Sequence, residues 1–138
     1  MKTGLDVVDI LRAYLATSAL MSDANKPNGG LYKYQRPLNS AKEDVVVNSL
    51  AQGRGQISEG VLNVNIYVPN LTHPVVAKGD NTQPNVPRLK YLTNLASIAL
   101  DEVYGEDYNF RVQQDNLFPD ANNQHYVNLR IEITSINI

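Results

Sequence analysis

The stretch Gly60-Val-Leu-Asn-Val-Asn-Ile-Tyr-Val-Pro69 constrains this chain most. From Leu62 to Val68 its residues alternate, with Leu62, Val64, Ile66 and Val68 on one side and Val61, Asn63, Asn65 and Tyr67 on the other. Period-2 alternation with β-branched residues marks a strand with one face in a core. That apolar face has to be covered. The chain offers one amphipathic helix before this strand and another after it, so any fold must bring helices and sheet together.

The 138 residues are most simply one domain, long enough to bury a sizeable core. A hydrophobic content of 43% and a charged content of 19% describe an ordinary folded protein. The net charge of −2 shows no basic excess or stripe of the kind that a dedicated nucleic-acid binder carries. Cysteine is absent, which excludes disulfides, thiolate metal sites and cysteine nucleophiles and fits folding in a reducing cytosol. The first nine residues carry acids inside their apolar run and do not read as a signal peptide. No stretch approaches the roughly 20 apolar residues needed to cross a bilayer.

Leu5, Val8, Leu11, Leu15 and Ala19 recur at the spacing of one helical face, widened by Val7, Tyr14 and Leu20, which predicts a helix over Leu5–Leu20. Thr3 is its expected N-cap, with Asp6 in the capping-box position, and Asp6 and Asp9 decorate the positive end of its dipole. The turn-rich Ser22–Gly30 ends it; Asn28-Gly29-Gly30 lacks the Lys-Ser/Thr of a phosphate loop. Leu31–Arg36 reads as a short strand with Tyr32 and Tyr34 on one face, stopped by Pro37. Within Lys42–Gly53 the run Glu43–Leu50 reads as a strand buried on both faces near its valines. Gly53-Arg54-Gly55 is then a turn or bulge, and these strands are expected to form an antiparallel meander of two or three strands.

Pro69–Pro87 holds four of the seven prolines and reads as a long loop excursion. Asn85 and Pro87 then open a second helix, whose apolar rhythm runs through Leu89, Leu92, Ala96, Ala99 and Val103 and which Gly105 is expected to close. Tyr108–Phe118 is a strand, Pro119–Asn123 a turn and Gln124–Ile138 the longest strand. In that last strand Val127, Leu129, Ile131 and Ile133 alternate with polar residues, and the apolar phase is expected to slip to Ile136 and Ile138.

Candidate chemistry is sparse. His73 lies in the loop excursion without a second His, Cys or paired carboxylate at ligand spacing, and His125 opens the last strand without a visible catalytic partner. No Ser-His-Asp order or metal-spaced cluster is present, so the expectation is a protein without catalytic, cofactor-binding or metal-ligating residues. Asp101, Glu102, Glu106 and Asp107 crowd the end of the second helix, the wrong end of the dipole for acids. They read as a solvated acidic patch, or as a surface for a basic partner or one that repels nucleic acid.

The predicted order α-β-β-β-α-β-β gives an α+β two-layer sandwich, a mostly antiparallel sheet with two helices on one face. This layout resembles the tail-terminator (tail-completion) family of long-tailed bacteriophages and related head–tail joining proteins. The likeness rests on the helix Leu5–Leu20, the strand Leu31–Pro37, the pair Val45–Leu50 and Val61–Val68, and the helix Arg88–Tyr104. The closing hairpin, Phe110–Pro119 through His125–Ile133, is the nearest match, with Asp115 and Phe118 in the acidic and aromatic places. The Pro69–Pro87 excursion departs from the family, where that connection is usually short.

The resemblance implies a non-enzymatic virion protein of a phage or prophage, made in the bacterial cytoplasm. Its copies form a ring, commonly hexameric, that caps the tail tube and meets the head connector. It implies no cofactor, no sequence-specific nucleic-acid binding and no membrane partner. Arg54, Tyr67, His73, Asp115 and Phe118 are then expected at subunit or partner contacts, and Asp101, Glu102, Glu106 and Asp107 along a channel that DNA passes without sticking. A reading from a different class is a small-ligand or peptide-binding module. There the Pro69–Pro87 loop closes over a cleft and Tyr32, Tyr34, Tyr67 and Tyr126 supply aromatic contacts.

Overall fold

The computed structural model describes residues 2–101, 103–105 and 107–136. Helix α1, Gly4–Ala16, begins at the expected cap: the Thr3 hydroxyl accepts from Asp6 N–H at 3.2 Å, and the Asp6 carboxylate accepts from Thr3 N–H at 2.8 Å. It buries Val7, Val8, Leu11 and Leu15, while Leu5 stays 65% exposed. The helix stops short of Leu20. The Thr17 and Ser18 hydroxyls donate back to the carbonyls of Tyr14 and Leu15, at 3.2 and 2.7 Å, which satisfies the end of the helix locally. Leu20 reaches the core from a separate 3₁₀ turn, Ala19–Met21, and Ala19 points to solvent.

The strands are β1 (Leu31–Lys33), β2 (Asp44–Gln52), β3 (Ile57–Pro69), β4 (Val103–Tyr104), β5 (Tyr108–Asp120) and β6 (Gln124–Ile136). They form one six-stranded sheet in the order β1-β2-β3-β6-β5-β4. All pairings are antiparallel except β1 with β2, which is parallel, so the expected antiparallel meander of two or three strands has two, β2 and β3. A loop of ten residues separates β1 from β2 and carries the chain back to start the second strand in the same direction. Tyr34 turns out of the strand, with φ of 71°, while its N–H still donates to Val47 O at 2.8 Å.

The organising strand is longer than its apolar run, and its burial alternates strictly from Ile57 to Val68. Each side is paired in register, Leu62 lying between Ser49 and Ile131 and Ile66 between Val45 and Val127. In β6 the expected slip of phase does not occur at Ile136, and Ile138 lies outside the described residues. Ser135, not Ile136, continues the buried side, because Ser58 stands opposite and the two hydroxyls hydrogen-bond at 3.1 Å. Ile136 stays on the open side, 44% exposed.

Helix α2, Val86–Leu100, is capped by Asn85, whose side chain accepts from Arg88 N–H at 3.3 Å. It ends at Leu100 rather than running to Tyr104: Asp101 is extended, with ψ of 128°, and Val103–Tyr104 pair with Phe110 and Asn109 of β5. Gly105 is therefore a turn residue and not a helix cap. Its N–H donates to Tyr108 O at 2.7 Å, and a Cβ there would meet the Tyr108 ring at 2.8 Å. Element order thus gains a strand beyond the expected α-β-β-β-α-β-β.

One core joins both helices to the same side of the sheet. Leu11, Leu15, Leu92 and Leu100 pack with Val47, Leu62, Ile66, Phe110, Leu129 and Ile131. Full burial of each such side chain contributes about 1.5–3 kcal/mol relative to exposure. α1 rests on β1 and β2, and α2 on β3, β6 and β5. The fold class is α+β, with a mostly antiparallel sheet.

Two polar clusters tie down the loops. Asp44, 1% exposed, accepts from Gly30 N–H at 3.1 Å, the Ser40 hydroxyl at 2.6 Å and Arg36 at 3.2 Å. Gly29 passes so close that a Cβ would lie 1.9 Å from this carboxylate, which is why glycine stands there. The Pro69–Pro87 excursion is closed at its base by Leu71 N–H to Gln83 O at 2.9 Å and Asn70 Nδ2 to Asn81 O at 2.8 Å. Asp80 accepts from Thr82 and Gln83 within it. No helix of the described residues is long and apolar enough to cross a membrane.

Candidate assembly surface

The sheet side away from the helices is built in rows set by strand register. One row runs Asp44, Tyr67, Tyr126, Phe118, and the next Val46, Asn65, Asn128, Asn116. In the first row Tyr67 and Tyr126 lie 4.9 Å apart between ring centroids, Tyr126 and Phe118 5.4 Å, and the Arg36 guanidinium sits 4.2 Å over Tyr67. Burial lifts the Tyr67 hydroxyl above its ordinary value of 10.0, with Asp120 and Tyr126 adding and Arg36 opposing. Asn128 donates to Asn65 and Asn63 at 2.7 and 3.2 Å, and Asn63 to Asn48 at 2.9 Å, an amide ladder crossing three strands. Beyond it Arg111 pairs with Glu132 at 3.0 Å.

Tyr67 and Phe118 are thus brought to one row, bridged by Tyr126. Asp115 is three residues from Phe118 but on the helix side, beside Leu117, in a groove with Val86, Leu89, Lys90 and Thr93 of α2. Arg54 sits in the exposed β2–β3 turn at the far end of the sheet, near the row of Glu59 and Thr134. Thr134 is eight positions from Tyr126 along β6, roughly 27 Å at the strand rise of about 3.4 Å per residue. His73 is exposed in the loop and lines an open cleft of about 340 Å³ with Asn28, Glu43, Asn70, Thr72 and Asn85. His125 is held elsewhere on that loop's base, its Nδ1 donating to Asn70 Oδ1 at 2.6 Å. The five residues do not form one cluster.

Of the acids, Asp101 is exposed just after α2, and Asp107 lies in the β4–β5 turn, paired with Lys2. Glu102 and Glu106 lie outside the described residues. Glu43, the carboxylate of the loop cleft, is gripped by Arg88 through Nε at 2.7 Å and Nη2 at 3.0 Å. The described residues contain no group of three or more His, Asp or Glu side chains placed to hold a metal ion.

The two sheet edges are stepped. On one, β1 covers Val45–Val47 and leaves Asn48–Gln52 of β2 with no strand outside them among the described residues. On the other, β4 covers Asn109 and Phe110 and leaves Val112–Asp120 of β5 open. Gln113–Pro119 are all exposed, including Leu117 at 49% and Phe118 at 41%. A long open edge is a template for another strand unless it is blunted. The bulge at Gln113 and the edge proline Pro119 blunt it only at its ends.

The comparisons with known proteins speak to fold alone. No protein-family model matches the chain, and no curated protein matches it. One solved structure superposes on it with a TM-score of 0.52, covering 94% of this chain and 96% of that chain at 11% identity. At that identity the likeness is one of chain path, end to end.

Sequence reasoning passed over Leu117 and Lys33. Leu117 was readable as half of an apolar pair, Leu117-Phe118, ending an otherwise polar run. Lys33 gave no signal, because its place at the sheet edge follows from the parallel β1–β2 pairing.

Proposed function

We propose that this chain is a non-enzymatic virion subunit of the tail-terminator type. Copies assemble into a ring at the tail end or head–tail junction of a phage, capping the tail tube and joining it to the head. The observation that carries this reading is the open outer edge of β5, seven successive exposed residues on a strand anchored along its whole length to the core strand β6. Such an edge is rigid, polar enough to stay soluble and unpaired, which suits repeated contact between copies. The arrangement of both helices against one side of the sheet, a two-layer sandwich, leaves the Asn-rich side and both edges for neighbours. The acids Asp101, Glu102, Glu106 and Asp107 then border the channel, where replacing all four by lysine makes the ring retain DNA.

Light scattering and negative-stain microscopy, of the purified chain and of the chain mixed with phage tail tubes, test the reading. Closed rings in either sample are expected; a monomer in both overturns it. A second reading, a small-ligand binding module, is favoured by the cleft that His73 and Asn70 line beneath the long loop. A ligand-dependent rise in Tm that His73→Ala abolishes, in a chain that stays monomeric, selects that reading instead.

A further inference from the structure

The two stepped edges match each other. Follow the rows of the sheet: Leu31, Val45, Ile66, Val127 and Leu117 share one, and Lys33, Val47, Val64, Leu129 and Asp115 share another. A second copy placed beside β5 along these rows brings its Leu31 opposite Leu117 and its Lys33 opposite Asp115. Both pairs lie on the helix side, since Leu31 is in the core and Lys33 reaches Asp9 of α1 at 2.8 Å. The step formed by β4 then falls beside the open stretch of the neighbour's β2, because Val103 shares a row with Phe110, Ile133, Gly60 and Gln52.

Strand direction agrees as well. β2, β3, β6 and β5 alternate in direction and β1 runs with β2, so β1 of a copy added without inversion is antiparallel to β5. Ile136 N–H donates to Asp107 O, so the even residues of β6 bond towards β5. Past the bulge at Gln113, antiparallel alternation turns the backbone N–H and C=O groups of Asp115 and Leu117 outward, to the open edge.

Charge agrees too. Among the described residues, 101–120 carry four acids and one arginine, net −3, whereas 31–54 carry four bases and two acids, net +2. An acidic edge and a basic edge on opposite ends of one sheet attract head to tail and repel in a two-fold pairing of like edges.

We infer that copies of this chain join by strand addition, the β1 edge of one against the open β5 edge of the next, antiparallel, with Lys33 facing Asp115. This inference rests on the ring-forming reading above and names its contact. The contact is heterologous, so it propagates around a ring rather than stopping at a dimer.

The absence of cysteine makes the test clean. Directly opposed positions on paired strands lie within disulfide reach. A mixture of Lys33→Cys and Asp115→Cys chains under mild oxidation is expected to give the mixed disulfide in several-fold excess over either homodimer. In parallel, Lys33→Glu and Asp115→Lys each abolish assembly and the double variant restores it. Lys33 and Asp9 form an exposed pair of little energetic weight, so circular dichroism of Lys33→Glu stays native. Rings that form with neither the mixed disulfide nor sensitivity to the charge reversals overturn the inference and leave the ring reading standing. Preferential Asp115→Cys homodimers overturn it in favour of a two-fold contact. A parent chain that stays monomeric alone and on tail tubes removes both.

Discussion

β3 and β5 are both thirteen residues long and both flank β6, yet they have opposite fates. β3 is paired along both sides and its inward residues from Ser58 to Val68 are buried. β5 is paired fully on one side and over two residues on the other, and beyond Phe110 it buries no residue fully. The difference does not arise from backbone propensity, since both strands are regular apart from one bulge in β5. It arises from what lies beside them. β3 is central and beneath helices, whereas β5 is an edge whose helix-side groove is only partly filled by α2.

The sharpest way to break this comparison is to truncate one leucine on each strand. Leu62→Ala, at a site 0% exposed, is expected to cost about 2–5 kcal/mol in denaturant unfolding. Leu117→Ala is expected to cost under about 1 kcal/mol in the monomer, because half its surface is already in water. Equal losses would mean that β5 is as central to the monomer core as β3.

The β3 half is also braced from outside the sheet. Arg88 of α2 holds Glu43 in two hydrogen bonds, reaches the carbonyl of Asn25 at 3.3 Å and stacks against Tyr91. Arg88→Ala leaves the mostly buried Glu43 carboxylate without its partner and is expected to lower unfolding stability by about 1–3 kcal/mol. Amide exchange then quickens in the Ser22–Gly30 segment before it quickens in β5.

A smaller contrast runs along one row. Asn128 donates to Asn63 and Asn65 of β3 but makes no side-chain hydrogen bond to Asn116 of β5. Asn128→Ala is expected to cost about 0.5–1.5 kcal/mol. Asn116→Ala should stay within about 0.5 kcal/mol of the parent, as an exposed edge substitution does. A large effect at Asn116 would give β5 a role in the monomer that its exposure does not suggest.

The acid limb of stability supplies the background. Asp6 and Asp80 sit below their ordinary pKa of 3.8, each chiefly because a backbone N–H donates to the carboxylate, from Thr3 and Thr82 respectively. A carboxyl depressed in the folded state contributes stability that is complete above pH 3.8 and is lost as the pH falls through its lower folded value. Asp6→Asn and Asp80→Asn each flatten unfolding stability against pH in that acid window. Neither residue lies on β3 or β5, so a change in the strand contrast with pH would point to other groups.

Much of the fold was legible because local patterns and tertiary needs agreed. Thr3 with Asp6, Asn85 with Pro87, and the alternation at Leu62–Val68 each satisfy a local rule that the assembled protein also uses. The misreadings came where partners distant in sequence decided. α2 was expected to run on to Gly105, but pairing with Phe110 and Asn109 draws Val103 and Tyr104 into the sheet. The apolar residues of the last strand change parity towards Ile136 and Ile138, yet Ser58 opposite keeps Ser135 on the buried side. The site was less legible than the fold. Tyr67 and Phe118 meet only through Tyr126, and Arg54 and His73 lie apart from them.

By itself the sequence determined the bodies of both helices and of the long strands, which of their sides turn inward over most of their length, and that no thiol chemistry is open to the chain. Those properties follow from periodicity and composition, which act over a few residues. Tertiary structure alone decided that β1 runs parallel to β2, that β5 lies at an edge, and that Lys33 and Asp115 share a row on opposite borders of one sheet. Strand order and register are set by packing the helices over a shared core. That packing is a long-range balance to which no single stretch of sequence holds the key.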